Sequence, residues 1–126
     1  MNNLQFADAI LERLQEREPR FHPQAYVFVL SSLHAAVAKL RPPRHITGRE
    51  LAFAVRDVAR ERFGLLAQTV LEYWGITTTL DIGQVVFALI DCGVLVKQDD
   101  DHIEDFDEIF DFDDAFEREY PWQVAH

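Results

Sequence analysis

The chain has 126 residues, of which 48% are hydrophobic, and this length is typical of one domain with its own core. Its formal net charge is −10 at pH 7, and its single cysteine excludes an internal disulfide framework. The apolar runs are too short and too interrupted to span a bilayer, and the N-terminus lacks the features of a secretory signal, so we expect one cytoplasmic domain over residues 1–126 without membrane association.

Two helices are predicted in residues 3–40. Apolar residues at helical spacing place the first helix from about Asn3 to Glu18. The second starts at His22 and Pro23, because proline fits the first turn of a helix, and it stops at the sequence RPPR, where two prolines break it. Its wide apolar stripe predicts that this helix lies at the centre of the core.

The third predicted helix runs from Thr47 to Phe63 and begins with a capping box. The Thr47 hydroxyl is spaced to accept a hydrogen bond from the backbone at the third helical position, while the Glu50 side chain reaches back to the Thr47 amide. Gly64 follows the last apolar residue of the pattern and ends the helix.

Two further helices are predicted after Gly64. The sequence LLAQTVLEYWG indicates a short fourth helix from Leu65 to Trp74. A fifth helix starts at a threonine cap near Thr78 or Thr79, has Asp81 in its first turn and ends at Cys92.

The periodicity changes after Gly93. VLVK is short and β-branched, QDDD is polar, and HIEDF is placed to return as an antiparallel partner, which together predict a β-hairpin. Three helices followed by a hairpin are typical of a winged helix-turn-helix. We therefore predict a mainly α fold: a small helical domain with a winged-helix-like helix-helix-helix-hairpin core in residues 46–106 and an acidic C-terminal segment in residues 107–126.

Four sequence segments between Ala25 and Phe116 carry a resemblance to a known family: GRELAFAVRDVA, FGLLAQTVLEYWGI, VVFALIDCGVL and DFDDAF. With these segments the chain resembles a family of small bacterial proteins of unknown function. The resemblance implies one domain of conserved length, and it implies no activity, cofactor or substrate.

The charge is distributed unevenly along the chain. Residues 1–63 contain ten Lys and Arg against seven Asp and Glu, whereas residues 64–126 contain two against fifteen. In the acidic half, phenylalanines alternate with acids, and large apolar groups are rarely left in water. Either these aromatics pack on the core up to Phe116, with Asp111 or Asp113 capping a last turn, or the segment binds a partner, and the two interpretations overlap.

The charge division favours a non-catalytic protein-interaction or regulatory module. An acidic aromatic surface would engage a basic partner, either another protein or a second copy of this chain, because aromatic side chains anchor an interface and acids steer the encounter. The predicted binding residues are Asp99, Asp100, Asp101, Glu104, Asp105, Asp107, Tyr120 and Trp122.

The alternative function is association with nucleic acid. A basic patch in residues 39–60 would contact phosphates through Arg41, Arg44, Arg49, Arg56 and Arg60. The fifth helix is a poor DNA reader, because DIGQVVFALID offers only Gln84 to base edges and is followed by acids that repel phosphate.

No catalytic residue, metal site or cofactor is predicted. The sequence contains no HExxH, GxSxG, P-loop or dinucleotide-binding motif, and the acidic stretches lack the glycine that a calcium loop of the EF-hand type needs. His34 lies on the apolar stripe of the second helix, so we expect a packed core histidine there and not a general base.

Overall fold

A computed structural model describes residues 3–118, with side chains from residue 8 onward. Five α-helices form in this part of the chain: α1 Asn3–Arg17, α2 Pro23–Ala38, α3 Gly48–Phe63, α4 Ala67–Tyr73 and α5 Thr79–Asp91. Short 3₁₀ turns at Gly64–Leu66 and Ile103–Phe106 and a π-helical turn at Asp114–Arg118 complete the elements. The mainly helical prediction is confirmed, and the five helices lie close to their predicted positions.

Between residues 3 and 118, no helix has both the length and the apolar character that crossing a bilayer requires.

Side-chain caps fix the starts of α3 and α5. At α3, the Glu50 amide donates to Thr47 Oγ1 at 3.1 Å and the Thr47 amide donates to Glu50 Oε1 at 2.9 Å, as predicted. At α5, Thr78 and Asp81 form the same reciprocal pair, at 3.2 and 3.1 Å. These bonds satisfy backbone amides that have no partner inside the helix.

Helix α2 lies at the centre of the core, packed against both α3 and α5. Its Tyr26, Phe28 and Val29 are buried, which confirms the prediction from the apolar stripe. The Tyr26 hydroxyl donates to the Glu18 carbonyl at 2.9 Å, and this bond ties the end of α1 to α2. Burial, with a smaller contribution from the nearby Glu18 carboxylate, raises the pKa of Tyr26 to about 12.

The predicted hairpin is wrong, because residues 94–106 contain no strand. The backbone amides of Val94 and Leu95 both donate hydrogen bonds to the Leu89 carbonyl, at 2.9 and 3.4 Å, and so terminate α5. Val94 and Leu95 then both pack against the core. The segment VLVK therefore follows α5, closes its end with two backbone amides and connects it to the next turn, and no wing follows α5 within residues 3–118.

Aspartates close the turns where the second strand was predicted. The Asp101 carboxylate accepts from the Gln98 amide at 2.8 Å, and the Asp105 carboxylate accepts from the His102 amide at 3.0 Å. Side chains that bond the nearby backbone offer it an alternative to a β-ladder. The acids of QDDDHIED thus stabilise turns, and HIEDF forms the turn Ile103–Phe106.

Asp81 joins the start of α5 to the chain after α1. Its Oδ1 accepts from Arg20 Nη1 at 2.8 Å, and its Oδ2 accepts from the Thr77 amide at 2.9 Å. Burial acts to raise the pKa of Asp81, but the hydrogen bonds from Arg20 and Thr77 outweigh it and hold the pKa below its ordinary value.

We expect Asp81→Asn to lower the free energy of unfolding by about 1–3 kcal/mol at neutral pH, because a buried charged hydrogen bond is lost. A carboxylate with a depressed folded pKa stabilises the protein above its unfolded pKa, and this contribution is lost as the pH falls through the folded value. The difference between wild type and Asp81→Asn should therefore narrow below about pH 4. Urea denaturation over a pH series measures this difference in the free energy of unfolding. The control is Asp99→Asn at an exposed position, for which the difference from wild type should be small and independent of pH.

Candidate functional site

Residues 99–118, called the acidic segment from here on, are docked on the helical core through Phe106. This side chain is buried against two glycines, Gly48 at the start of α3 and Gly83 in α5. A Cβ atom added at Gly83 would lie 2.7 Å from Phe106 Cγ, and one added at Gly48 would lie 3.0 Å from the ring. The absence of side chains at both positions is what lets the aromatic ring lie directly on the helices.

The buried hydroxyl of Thr79 bonds to the backbone on both sides of the turn between Phe106 and Ile109. Thr79 Oγ1 donates to the Phe106 carbonyl at 2.6 Å and accepts from the Ile109 amide at 3.2 Å. Thr79 is 1% exposed, so water cannot replace either bond. Glu108, between them, has φ of 50°, a left-handed conformation that this turn imposes on a non-glycine residue.

The remaining aromatics of the segment form a cluster. The ring of Phe112 lies 5.2 Å from that of Phe116 and 5.8 Å from that of Phe110, centre to centre. Arg60 of α3 donates to the Ala115 carbonyl, through Nε at 3.1 Å. The interpretation that the aromatics pack on the core is thus confirmed up to Phe116, which is itself buried.

Asp111 forms the predicted cap of the last turn, since its Oδ1 accepts from the Asp114 amide at 3.1 Å.

Four of the six acids predicted to bind a partner point into solvent. We call this set the acidic surface; it consists of Asp99, Asp100, Glu104 and Asp107. All four are exposed, and none makes a side-chain hydrogen bond or ion pair with another residue of the described range 3–118. Unpaired acids on an ordered backbone form a fixed negative field to which a basic partner could bind.

The other two predicted acids have structural contacts. Asp101 Oδ1 lies 3.0 Å from His45 Nε2, while Asp105 caps the turn that begins at His102. Burial acts to raise the pKa of Asp101, but the Gln98 amide and His45 outweigh it and keep the pKa below its ordinary value. Tyr120 and Trp122, also predicted to bind, lie outside the described residues.

Each arginine of the predicted basic patch contacts another group of the same chain. Arg44 pairs with Glu50 at 2.7 Å, and Arg56 pairs with its neighbour Asp57 at 2.9 Å. The other three have contacts as well: Arg41 donates to backbone carbonyls, Arg49 lies over the Phe53 ring, and Arg60 holds Ala115. Phosphate binding at these residues would have to compete with those partners.

An apolar cavity that the sequence did not predict lies beside the acidic segment. It measures about 430 Å³ and is bounded by α2, the first turn of α3, α5 and residues 95–106. We call it the apolar cavity; its apolar lining is Leu33, Val37, Ala38, Ile46, Leu51, Val86, Phe87, Ile90, Leu95, Val96 and Phe106. Its polar lining is His34, His45, Thr47, Asp101, His102 and Asp105.

The prediction for His34 is wrong, because its side chain is exposed and lines the apolar cavity. The C-terminal half of α2 packs on the core through Leu33 and Val37, but His34 lies where this helix lines the cavity, so it is not covered by a packed neighbour. The stripe alone could not show which part of the helix the rest of the chain covers.

The cavity offers limited chemistry. The pair of His45 and Asp101 is the arrangement of a base and the carboxylate that orients it, but no serine or cysteine is among the described lining residues. The Thr47 hydroxyl accepts from the Glu50 amide as a helix cap. Within the described residues, no group of three or more His, Cys, Asp or Glu side chains is placed to hold a metal ion.

Comparison of the chain with family models, with curated proteins and with solved structures gave no match. The resemblance to a family of small bacterial proteins over Ala25 to Phe116 therefore stays a prediction.

Proposed function

We propose that the protein is a non-catalytic, cytoplasmic interaction module whose acidic surface engages a basic segment of a partner protein. The observation that carries this proposal is that Asp99, Asp100, Glu104 and Asp107 are exposed and unpaired within residues 3–118 while the segment that bears them is held to the core. Buried aromatics and a buried threonine bond restrain the backbone before any partner arrives. Such preorganisation lowers the entropy lost on binding.

The internal pairing of the basic residues also supports this choice over nucleic acid. Four of the five arginines of the basic patch hydrogen-bond to groups of the chain itself, whereas the acids of the acidic surface have no such partner between residues 3 and 118. Of these arginines, Arg44 and Arg56 pair with carboxylates, which partly neutralise their charge, whereas the charge of the acidic surface is not neutralised in this way.

The test is to select binders from a random peptide library displayed on phage and to measure their affinity by fluorescence anisotropy. We expect selected peptides to be rich in Lys and Arg and their affinity to fall with added salt. Replacing all four acids (Asp99→Asn, Asp100→Asn, Glu104→Gln, Asp107→Asn) should weaken binding by about tenfold or more, since several rim charges of a few tenths of a kcal/mol each are lost.

The matched control removes four other exposed acids that make no side-chain contact within the described residues: Asp8→Asn, Glu12→Gln, Glu16→Gln and Glu61→Gln. It changes the net charge by the same amount, so it should retain most of the affinity if position matters. Equal weakening by both variants, or no selected basic peptide, would refute the proposal. Binding of labelled DNA or RNA that survives in the acidic-surface variant would instead favour the basic patch.

A further inference from the structure

We propose that the apolar cavity is a binding site for a small amphiphile, with its apolar body between α2 and α5 and a cationic amine or ammonium group beside Asp101 and Asp105. This site is distinct from the acidic surface, because none of Asp99, Asp100, Glu104 and Asp107 lines the cavity. The two proposals can therefore fail separately.

The walls of the apolar cavity supply the first argument. Eleven of its lining residues are apolar, and they come from α2, α3, α5, the connection before α3 and residues 95–106. A volume of about 430 Å³ lies in the range of pockets that enclose small organic ligands. Water in such a space finds few hydrogen-bond partners, and an apolar ligand would regain the dispersion contacts that the walls lack.

The charged side chains of the lining supply the second argument. Asp101 and Asp105 are the acidic side chains of the lining, and neither lysine nor arginine is among the described lining residues. Hydrogen bonds hold both carboxylates in place without a ligand: the Gln98 amide and His45 bond to Asp101, and the His102 amide bonds to Asp105. Two carboxylates held in place in the lining of an apolar space attract a cation and repel an anion.

The experiment compares three ligands that share one apolar body: 4-phenylbutylamine, 4-phenylbutanol and 4-phenylbutyrate. Amide chemical-shift titration of the full chain at about pH 8, above the usual titration range of imidazole, gives both the affinity and the location of each ligand. We expect shifts at residues lining the cavity, such as Val86 and Leu95. The amine should bind about tenfold more tightly than the alcohol, and the carboxylate should bind most weakly.

Charge variants test the assignment of the head group. The double variant Asp101→Asn and Asp105→Asn keeps acceptor oxygens for the turns, so it should lower amine affinity to that of the alcohol and leave alcohol binding unchanged. The control variant Asp99→Asn and Asp100→Asn removes the same charge from residues outside the lining and should keep most of the amine preference.

A blocking variant tests the cavity itself. Ala38 lines the cavity from an exposed position near the end of α2, so Ala38→Phe should occupy the space and abolish binding of all three ligands without disturbing the core. The proposal is overturned if wild type binds none of the ligands or binds the amine and alcohol equally. It is also overturned if the carboxylate binds most tightly or if the shifts map to residues outside the cavity. The same holds if the Asp99/Asp100 control variant loses as much of the preference for the amine over the alcohol as the Asp101/Asp105 variant does.

Discussion

Gly83→Ala is expected to destabilise the protein by about 1–3 kcal/mol, although alanine is the better residue for a helix interior. Intrinsic propensity alone would favour alanine over glycine by about 1 kcal/mol. The added Cβ would lie 2.7 Å from Cγ and 2.8 Å from Cβ of Phe106, and overpacking of a filled core has the larger cost. Urea denaturation measures the difference, and amide hydrogen exchange shows whether the segment after α5 is released.

A double-mutant cycle with Phe106→Ala isolates the cause. Removing the ring costs about 3–5 kcal/mol by itself, since Phe106 is buried. Alanine removes Cγ and the ring but keeps the Cβ that lies 2.8 Å from the added atom, and Thr79 still holds the carbonyl of residue 106. Gly83→Ala should therefore cost clearly less in that background than in wild type. If Gly83→Ala destabilises both backgrounds equally, the close contact with Phe106 is not the reason.

Thr79→Val is expected to lower the free energy of unfolding by about 2–4 kcal/mol. Valine has nearly the same shape, but it removes the hydroxyl that joins the Phe106 carbonyl to the Ile109 amide. Because the site is buried, the carbonyl and the amide lose their partner without gaining water. The segment should then exchange its amide hydrogens much faster than α3 does.

Thr79→Ser is the matched control for this substitution. Serine keeps the hydroxyl and loses one methyl group, which costs about 1 kcal/mol when buried. Stability of Thr79→Ser well above that of Thr79→Val would assign the effect to the two hydrogen bonds. Equal loss in both would assign it to packing and contradict the role given to the hydroxyl.

Glu50→Gln is expected to have a smaller effect that depends on pH. The hydrogen bond from Arg44, followed by that from the Thr47 amide, lowers the pKa of Glu50 to about 2. The charge thus stabilises the folded state above the unfolded pKa of about 4.3, and this contribution disappears as the pH falls toward 2. Since the pair is exposed to solvent, we expect a loss below about 1 kcal/mol at neutral pH, measured by urea denaturation.

The sequence predicted the features that depend on neighbouring residues. The spacing of Thr47 and Glu50 specifies a capping box whatever the rest of the chain does, and the structure contains it. The same holds for the threonine cap of α5 and for the stop at Gly64. These signals act over three or four residues, so tertiary contacts do not change them.

Features that depend on distant residues were missed or predicted wrongly. The β-branched VLVK suggests a strand, but the Leu89 carbonyl accepts hydrogen bonds from the Val94 and Leu95 amides. The acids that follow cap turns. The apolar cavity arises where α2, α3 and α5 meet residues 95–106, and no local spacing encodes that meeting. Gly48 and Gly83, two helical glycines that leave room for an aromatic ring, were a usable sequence signal for the docking of an aromatic side chain on α3 and α5.

The role of the docked acidic surface is tested by comparing wild type and Thr79→Val for affinity to one selected basic peptide, after hydrogen exchange has shown that the variant releases the acidic segment. The substitution leaves every acid in place and the net charge unchanged, so it alters only how the acidic surface is held. We predict clearly weaker binding by the variant, because the acids lose their fixed arrangement on the core. Unchanged affinity with the segment released would contradict the claim that the docked acidic surface is the binding site.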